Sequence, residues 1–159
     1  MKNSMKKIVA LFLVLISLFA LSACGENVQE SPKQTENGIV ANGIKKEGLW
    51  ANATYVENKT FGEGTKTLTV KVEAGGQEVT FTVKSDKETV GEALMEHSLI
   101  SGENGAYGLY IKSVNGIRAD FDTDGAYWSF NKNGEYMMTG VDSTKFTDGE
   151  QYELVYTKG

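Results

Sequence analysis

The sequence predicts an α+β domain built from a mixed sheet and one main helix, and three observations point to it. Two runs, TKTLTVKVE and QEVTFTVK, alternate apolar and polar residues on either side of Gly75-Gly76, as the arms of a half-buried β-hairpin do. A single later stretch, opening Thr89-Val90-Gly91-Glu92, carries a helix start signal and then apolar residues at helical spacing. Beyond it the chain breaks into short apolar runs separated by Asn-Gly and Asp-Gly pairs, which favour tight turns. Strands, then one helix, then strands again describe a segregated α+β domain.

At 159 residues the chain suits one small domain with appendages. Lys2, Lys6 and Lys7 precede an uncharged run from Ile8 to Ala23, and Leu21-Ser22-Ala23-Cys24 follows. A basic start, an apolar middle and small residues at the cut read as an export signal over residues 1–23, too short for a spanning helix. Cys24 is the only cysteine, so a disulfide, a cysteine-rich zinc site and a second thiol are all excluded. Every acidic residue follows Cys24, while three of the sixteen basic residues precede it. A chain starting at Cys24 therefore has a net charge of about −8, with lysines dispersed among acids, which argues against nucleic acid as a partner.

Residues 24–48 are polar, hold the single proline and lack periodicity, so they are expected to be a flexible tether with a reach of about 25 Å. The domain is expected over residues 49–159. LWANATYV opens it as an edge strand or a segment wrapped on the core, anchored by Leu49, Trp50 and Tyr55. Strands follow over residues 65–73 and 77–84, with Leu68, Val70, Val72, Val79, Phe81 and Val83 inward. Thr89 and Glu92 form a capping box. Val90, Ala93, Leu94 and His97 then mark one helix face, and Gly102 is expected to end the run. SGENGAYG reads as a glycine-punctuated loop, without the Lys-Ser/Thr that a phosphate cradle needs. LYIKSV is a short strand, Asn115-Gly116 a turn, and QYELVYT the last strand, central or well-paired.

The stretch AYWSFNKNGEYMMTG, residues 126–140, is the most strongly specified. Asn133-Gly134 suits a type I′ turn, because both central positions need φ > 0. That turn sets Lys132 opposite Glu135, Phe130 opposite Met137, Ser129 opposite Met138 and Trp128 opposite Thr139. One face then carries Trp128, Phe130 and Met137, which are expected in the core. The other carries Tyr127, Tyr136 and Met138, too apolar for an ordinary wetted face.

Two places in the chain invite a sharper chemical reading. Asp120-Phe121-Asp122-Thr123-Asp124-Gly125 matches the first half of a calcium loop. Position twelve would be Asn131 rather than a bidentate Glu, and the flanks read as strands, so a solvated turn is expected and Asp120, Asp122 and Asp124 are the residues to check. His97, the only histidine, has no serine or carboxylate motif to make a triad. No catalytic residue and no cofactor is expected, and the chain reads as no enzyme.

Leu-Ser-Ala-Cys resembles the lipobox of bacterial lipoproteins, which implies acylation of Cys24 and a lipid-anchored place on the extracytoplasmic face of the membrane. The element order is that of a β-grasp domain. TVGEAL, GLYIKSVNGI, GAYWSFNKNGEYMMTGV and FTDGEQYELVY together resemble the carboxy-terminal domain of transcobalamin and intrinsic factor, and more closely the bacterial lipoprotein domain of unknown function grouped with it. In those carriers the domain closes over a corrinoid held against a separate helical barrel. The resemblance implies that Tyr127, Trp128, Tyr136, Met138, Gly140 and Val141 face a ligand or partner. It implies a small-molecule ligand, corrinoid-like, and a membrane importer or partner domain supplying the other wall. The alternative is a surface protein-interaction domain using the same hairpin or a free sheet edge.

Overall fold

The computed structural model describes residues 43–159. The expected signal segment, Cys24 and the tether as far as residue 42 lie outside the described residues. The last residues assigned to the tether already touch the domain: Ile44 packs on the core, and the Lys45 N–H donates to the Gln77 side chain at 2.8 Å. A 3-10 turn, Gly48–Asn52, buries Trp50, whose indole N–H donates to Ala74 O at 2.8 Å. Leu49, expected as a second anchor, stays at the surface, because neighbours in so tight a turn point about a third of a revolution apart. Tyr55 packs its ring edge-on to Phe61 and Phe81.

The strands are β1 (Lys59–Phe61), β2 (Lys66–Ala74), β3 (Gln77–Ser85), β4 (Ile100–Gly105), β5 (Gly108–Val114), β6 (Ile117–Arg118), β7 (Ala126–Lys132), β8 (Glu135–Tyr136) and β9 (Glu150–Lys158), with helices α1 (Val90–Glu96) and α2 (Phe121–Asp124). Six strands form one mixed sheet in the order β1-β3-β2-β9-β7-β8, and β4-β5-β6 form a second. This is the expected α+β fold. β2 and β3 pair antiparallel about Gly75 and Gly76, both at positive φ. β9 lies parallel to β2 and antiparallel to β7, so the last strand is central, and Tyr152 and Leu154 are buried there.

The inward row of β2 and β3 meets Val90, Ala93 and Leu94 of α1 in one core. The capping box forms as expected: Thr89 Oγ1 accepts from the Glu92 N–H, and Glu92 Oε2 accepts from the Thr89 N–H, both at 3.2 Å. The helix is shorter than the spacing suggested. It ends at Glu96, and Ser98 at φ 55 turns the chain so that Leu99 and Ile100 drop into the core. Gly102 is therefore no helix stop; it sits in β4. The expected loop SGENGAYG is instead the β4–β5 hairpin, with Gly102 at a register shift where a side chain would run into the Tyr110 carbonyl. β1, a parallel edge strand on β3, is not foreshadowed by any local pattern.

One ion pair ties the centre of the sheet to its flank. Glu150 opens β9 and accepts from Lys132 Nζ at 2.8 Å, the Tyr152 hydroxyl at 2.6 Å and the Thr147 N–H. The Lys132 ammonium, more than any other group, pulls its carboxyl from 4.5 down to about 2, while burial raises the Tyr152 phenol. A carboxyl whose folded pKa is depressed adds stability that is present above the unfolded value and is lost as pH falls through the folded one. Acid titration of stability should thus show a loss on the order of 2 kcal/mol between about pH 4.5 and 2, after allowing for partial solvent screening. Glu150→Gln should flatten that interval in urea melts; a slope identical to the parent's would count against the assignment.

Candidate functional site

The Asn133-Gly134 turn forms with φ 53 and 78, Lys132 pairs Glu135 and Asn131 pairs Tyr136. Met137 N–H still donates to Phe130 O at 2.9 Å. There the return arm leaves the sheet, and the expected pairings Ser129–Met138 and Trp128–Thr139 do not form. The cause lies slightly further along the chain. Val141 is buried and its carbonyl accepts from the Gly91 N–H at 2.8 Å, while Thr144 Oγ1 donates to Gly140 O at 2.8 Å. The Val90 N–H also donates to Thr144 O at 2.9 Å, so the link is held at the start of α1, away from β7.

The departure leaves a hollow of about 260 Å³ beside β7. All six residues singled out in the sequence, Tyr127, Trp128, Tyr136, Met138, Gly140 and Val141, border it. The β4–β5 hairpin supplies the opposite side through Tyr107, Leu109 and Ile111. The rings differ in role. Trp128 and Phe130 are almost fully buried and Met137 packs on the core, as expected. Tyr127 is half-buried, whereas Tyr136 is 63%, Met138 91% and Tyr107 100% exposed. Large apolar groups held in water at a rim represent apolar surface still available for burial, at roughly 25 cal/mol per Å² covered.

Two polar atoms in this region lack partners. Trp128 packs edge-on to Tyr156 with centroids 5.7 Å apart, but its buried Nε1 has no acceptor. Asp142 Oδ2 accepts from the Leu109 N–H at 3.1 Å, and its buried Oδ1 has no donor. Gly108, at φ 103, and Gly140 both press on this carboxylate: a Cβ on either would stand 2.6 or 2.7 Å from one of its oxygens. Asp142 thus clasps the hairpin side of the hollow to the β8–β9 link. A buried donor or acceptor without a partner costs about 1–3 kcal/mol, and such atoms in a native structure call for a reason.

The aspartate loop is a structural element. Asp120 caps α2 through the Asp122 N–H and accepts from Lys112 Nζ at 2.9 Å and Arg118 Nη2 at 3.1 Å. The Lys112 hydrogen bond, foremost, holds its carboxyl below the usual range. Asp124 accepts from Arg118 as well. Among the described residues, no three His, Cys, Asp or Glu converge as a metal ion requires, so Asp120, Asp122 and Asp124 form no ligand set. His97 follows α1 and lies beside the Phe61 ring and Gly62, at a second hollow of about 500 Å³ that Ser85 and Glu96 also border. Ser85 Oγ there donates to Glu96, not to the histidine.

Sequence reasoning missed Tyr107, Leu109 and Asp142. Tyr107 sits in the turn of a hairpin whose first arm is masked by its glycines, Leu109 opens a strand that the sequence shows but does not place at the recess, and nothing local flags Asp142, which acts on a backbone N–H 33 residues away.

Residues 87–158 match the profile of a domain of unknown function, DUF4430. A solved protein from Ruminococcus gnavus ATCC 29149, described as one proposed to bind metal, is 37% identical with a TM-score of 0.56, over 59% of this chain and 98% of that one. Haptocorrin in complex with Cbi is 20% identical with a TM-score of 0.50, over 62% of this chain and 26% of its own; the likeness is one of fold. No curated protein matches. Fold and hollow define a small β-grasp-type domain with an aromatic-bordered recess. Residues 87–158 of it form a DUF4430 domain.

Proposed function

We propose that this protein is a non-enzymatic binding module, lipid-anchored through Cys24 on the extracytoplasmic face of the membrane, which captures a small molecule for delivery to an importer. The observation that carries the reading is the recess itself, with exposed rings at its rim and apolar side chains on its walls. Such sites combine apolar walls with a few placed polar groups. Its volume of about 260 Å³ falls below the ~300–1,000 Å³ common for complete ligand sites, which supports a role as one wall of a shared site. The corrinoid class is drawn from the sequence resemblance, and the fold shared with haptocorrin in complex with Cbi agrees with it.

A second reading has its own support. Tyr107 and Met138 stand almost wholly in solvent, and Met and Tyr are common where one protein grips another. A soluble chain starting at residue 43 should be incubated with a cofactor panel that includes cobinamide and cobalamin, following melting temperature. Saturable binding at 100 times Kd should add about 2.7 kcal/mol of stability. Silence across the panel, together with retention of a membrane protein on the immobilised domain, would replace the first reading by the second.

A further inference from the structure

We infer that the recess docks an extended, uncharged segment of a partner protein, which adds a strand to β7 at Trp128. The inference rests on the protein-partner reading of the recess and names the chemistry that grips the partner; the small-molecule reading is tested separately by the cofactor panel. Hydrogen bonds tell the two sides of β7 apart. In an antiparallel ladder successive residues turn their N–H and C=O alternately to one side and the other. The register between β7 and β9 is unbroken from Ala126–Lys158 to Asn131–Glu153. Gly125 O, one step before it, accepts from the Gly159 N–H on the β9 side at 3.0 Å, whereas Phe130 O accepts from the Met137 N–H on the β8 side at 2.9 Å. Odd-numbered residues therefore face β9 and even-numbered ones face outward. β8 pairs only with Asn131 and Lys132, so the N–H and C=O of Trp128 point to the side from which the return arm has left. Among the described residues no group bonds to either of them. β5, across the recess, is paired to β4 and β6 alone.

An open edge of this kind is a template for a further strand. Strand addition draws affinity from main-chain hydrogen bonds and specificity from alternate side chains. Trp128 and Phe130 border the recess, and among the described residues no Lys, Arg, Asp or Glu does. A charged side chain on the incoming strand would lose its water there without gaining a partner. Leu109, Ile111, Met137 and Val141 instead receive every second, apolar side chain.

Short capped peptides that alternate threonine with valine, leucine or phenylalanine are the probes. Each is also prepared with N-methyl groups on all its threonines, or on all its apolar residues. Because N–H groups of alternate residues share one edge of a strand, each N-methyl series loses its donors on one edge only. Titration of a parent peptide into 15N-labelled protein should move the Trp128 backbone N–H resonance downfield. The Trp50 indole, bonded to Ala74 O, serves as the fixed reference. One N-methyl series should bind at least about tenfold more weakly than its parent, as expected for a lost hydrogen bond, and the other nearly as well as the parent. Lysine or glutamate in place of the apolar residues should abolish binding. Equal binding of both N-methyl series would show a grip by side chains alone and overturn strand addition while leaving the recess a protein-binding surface. Binding with the Trp128 resonance unmoved would put the peptide on another edge and overturn it too. Movement of that resonance with protein concentration alone would give the edge to a second copy of this chain, against the inference. Binding of no peptide would also overturn it, and the recess itself would fall only if the cofactor panel were silent as well.

Discussion

Replacing Trp50 with alanine should cost about 3–5 kcal/mol, the range for emptying a large aromatic from a core. The indole is 1% exposed and ends the hydrophobic cluster where β2 finishes. Its loss would remove that burial, leave a cavity and strip the Ala74 carbonyl of its donor. For a folded region of this size a change of 1 kcal/mol moves Tm by roughly 4 °C, so thermal melts should shift down by about 10–20 °C. A shift of only a degree or two would mean that the Gly48–Asn52 turn is an ornament rather than part of the domain.

Gly108→Ala should be nearly as damaging, by about 2–3 kcal/mol, for two reasons that add. At φ 103 the residue occupies backbone space that side chains adopt only with strain. A methyl there would also meet Asp142 Oδ2 at 2.6 Å, the oxygen that accepts from Leu109. The variant should lose stability in urea melts and should also bind cofactor or probe more weakly, because the hairpin side of the recess is no longer clasped to the β8–β9 link. Parent-like stability and parent-like binding together would show that the clasp is dispensable.

What the sequence revealed and what it concealed divides along the range of the interactions. The β2–β3 hairpin, the Thr89–Glu92 capping box and the Asn133-Gly134 turn are specified by residues within a few positions of one another, so pattern and turn chemistry suffice. β4 could not be read that way. In ISGENG only Ile100 is buried, so there is no alternation to see, and its pairing with β5 depends on a bulge at Gly102. β1 is three residues long and joins β3 in parallel, a non-local choice. The six candidate site residues share a family resemblance and an unusually apolar hairpin face, and it is these that bring them together in the sequence. The recess they border exists because Val141 and Thr144 draw the return arm away, and no local rule foretells that. Gly140 and Gly108 gain their meaning from Asp142, a contact across the fold.

The most direct test of the recess as the working surface uses the two tryptophans. In a Trp50→Phe chain, where the milder substitution keeps an aromatic in the core, all indole emission comes from Trp128. Cobinamide, or whichever panel compound stabilises the domain, should change that emission saturably with the same Kd that calorimetry reports, and Tyr136→Ala with Met138→Ala should weaken it without lowering Tm. Saturable binding by calorimetry with Trp128 emission unchanged, or with affinity unaltered by the double substitution, would place the ligand elsewhere and contradict the account.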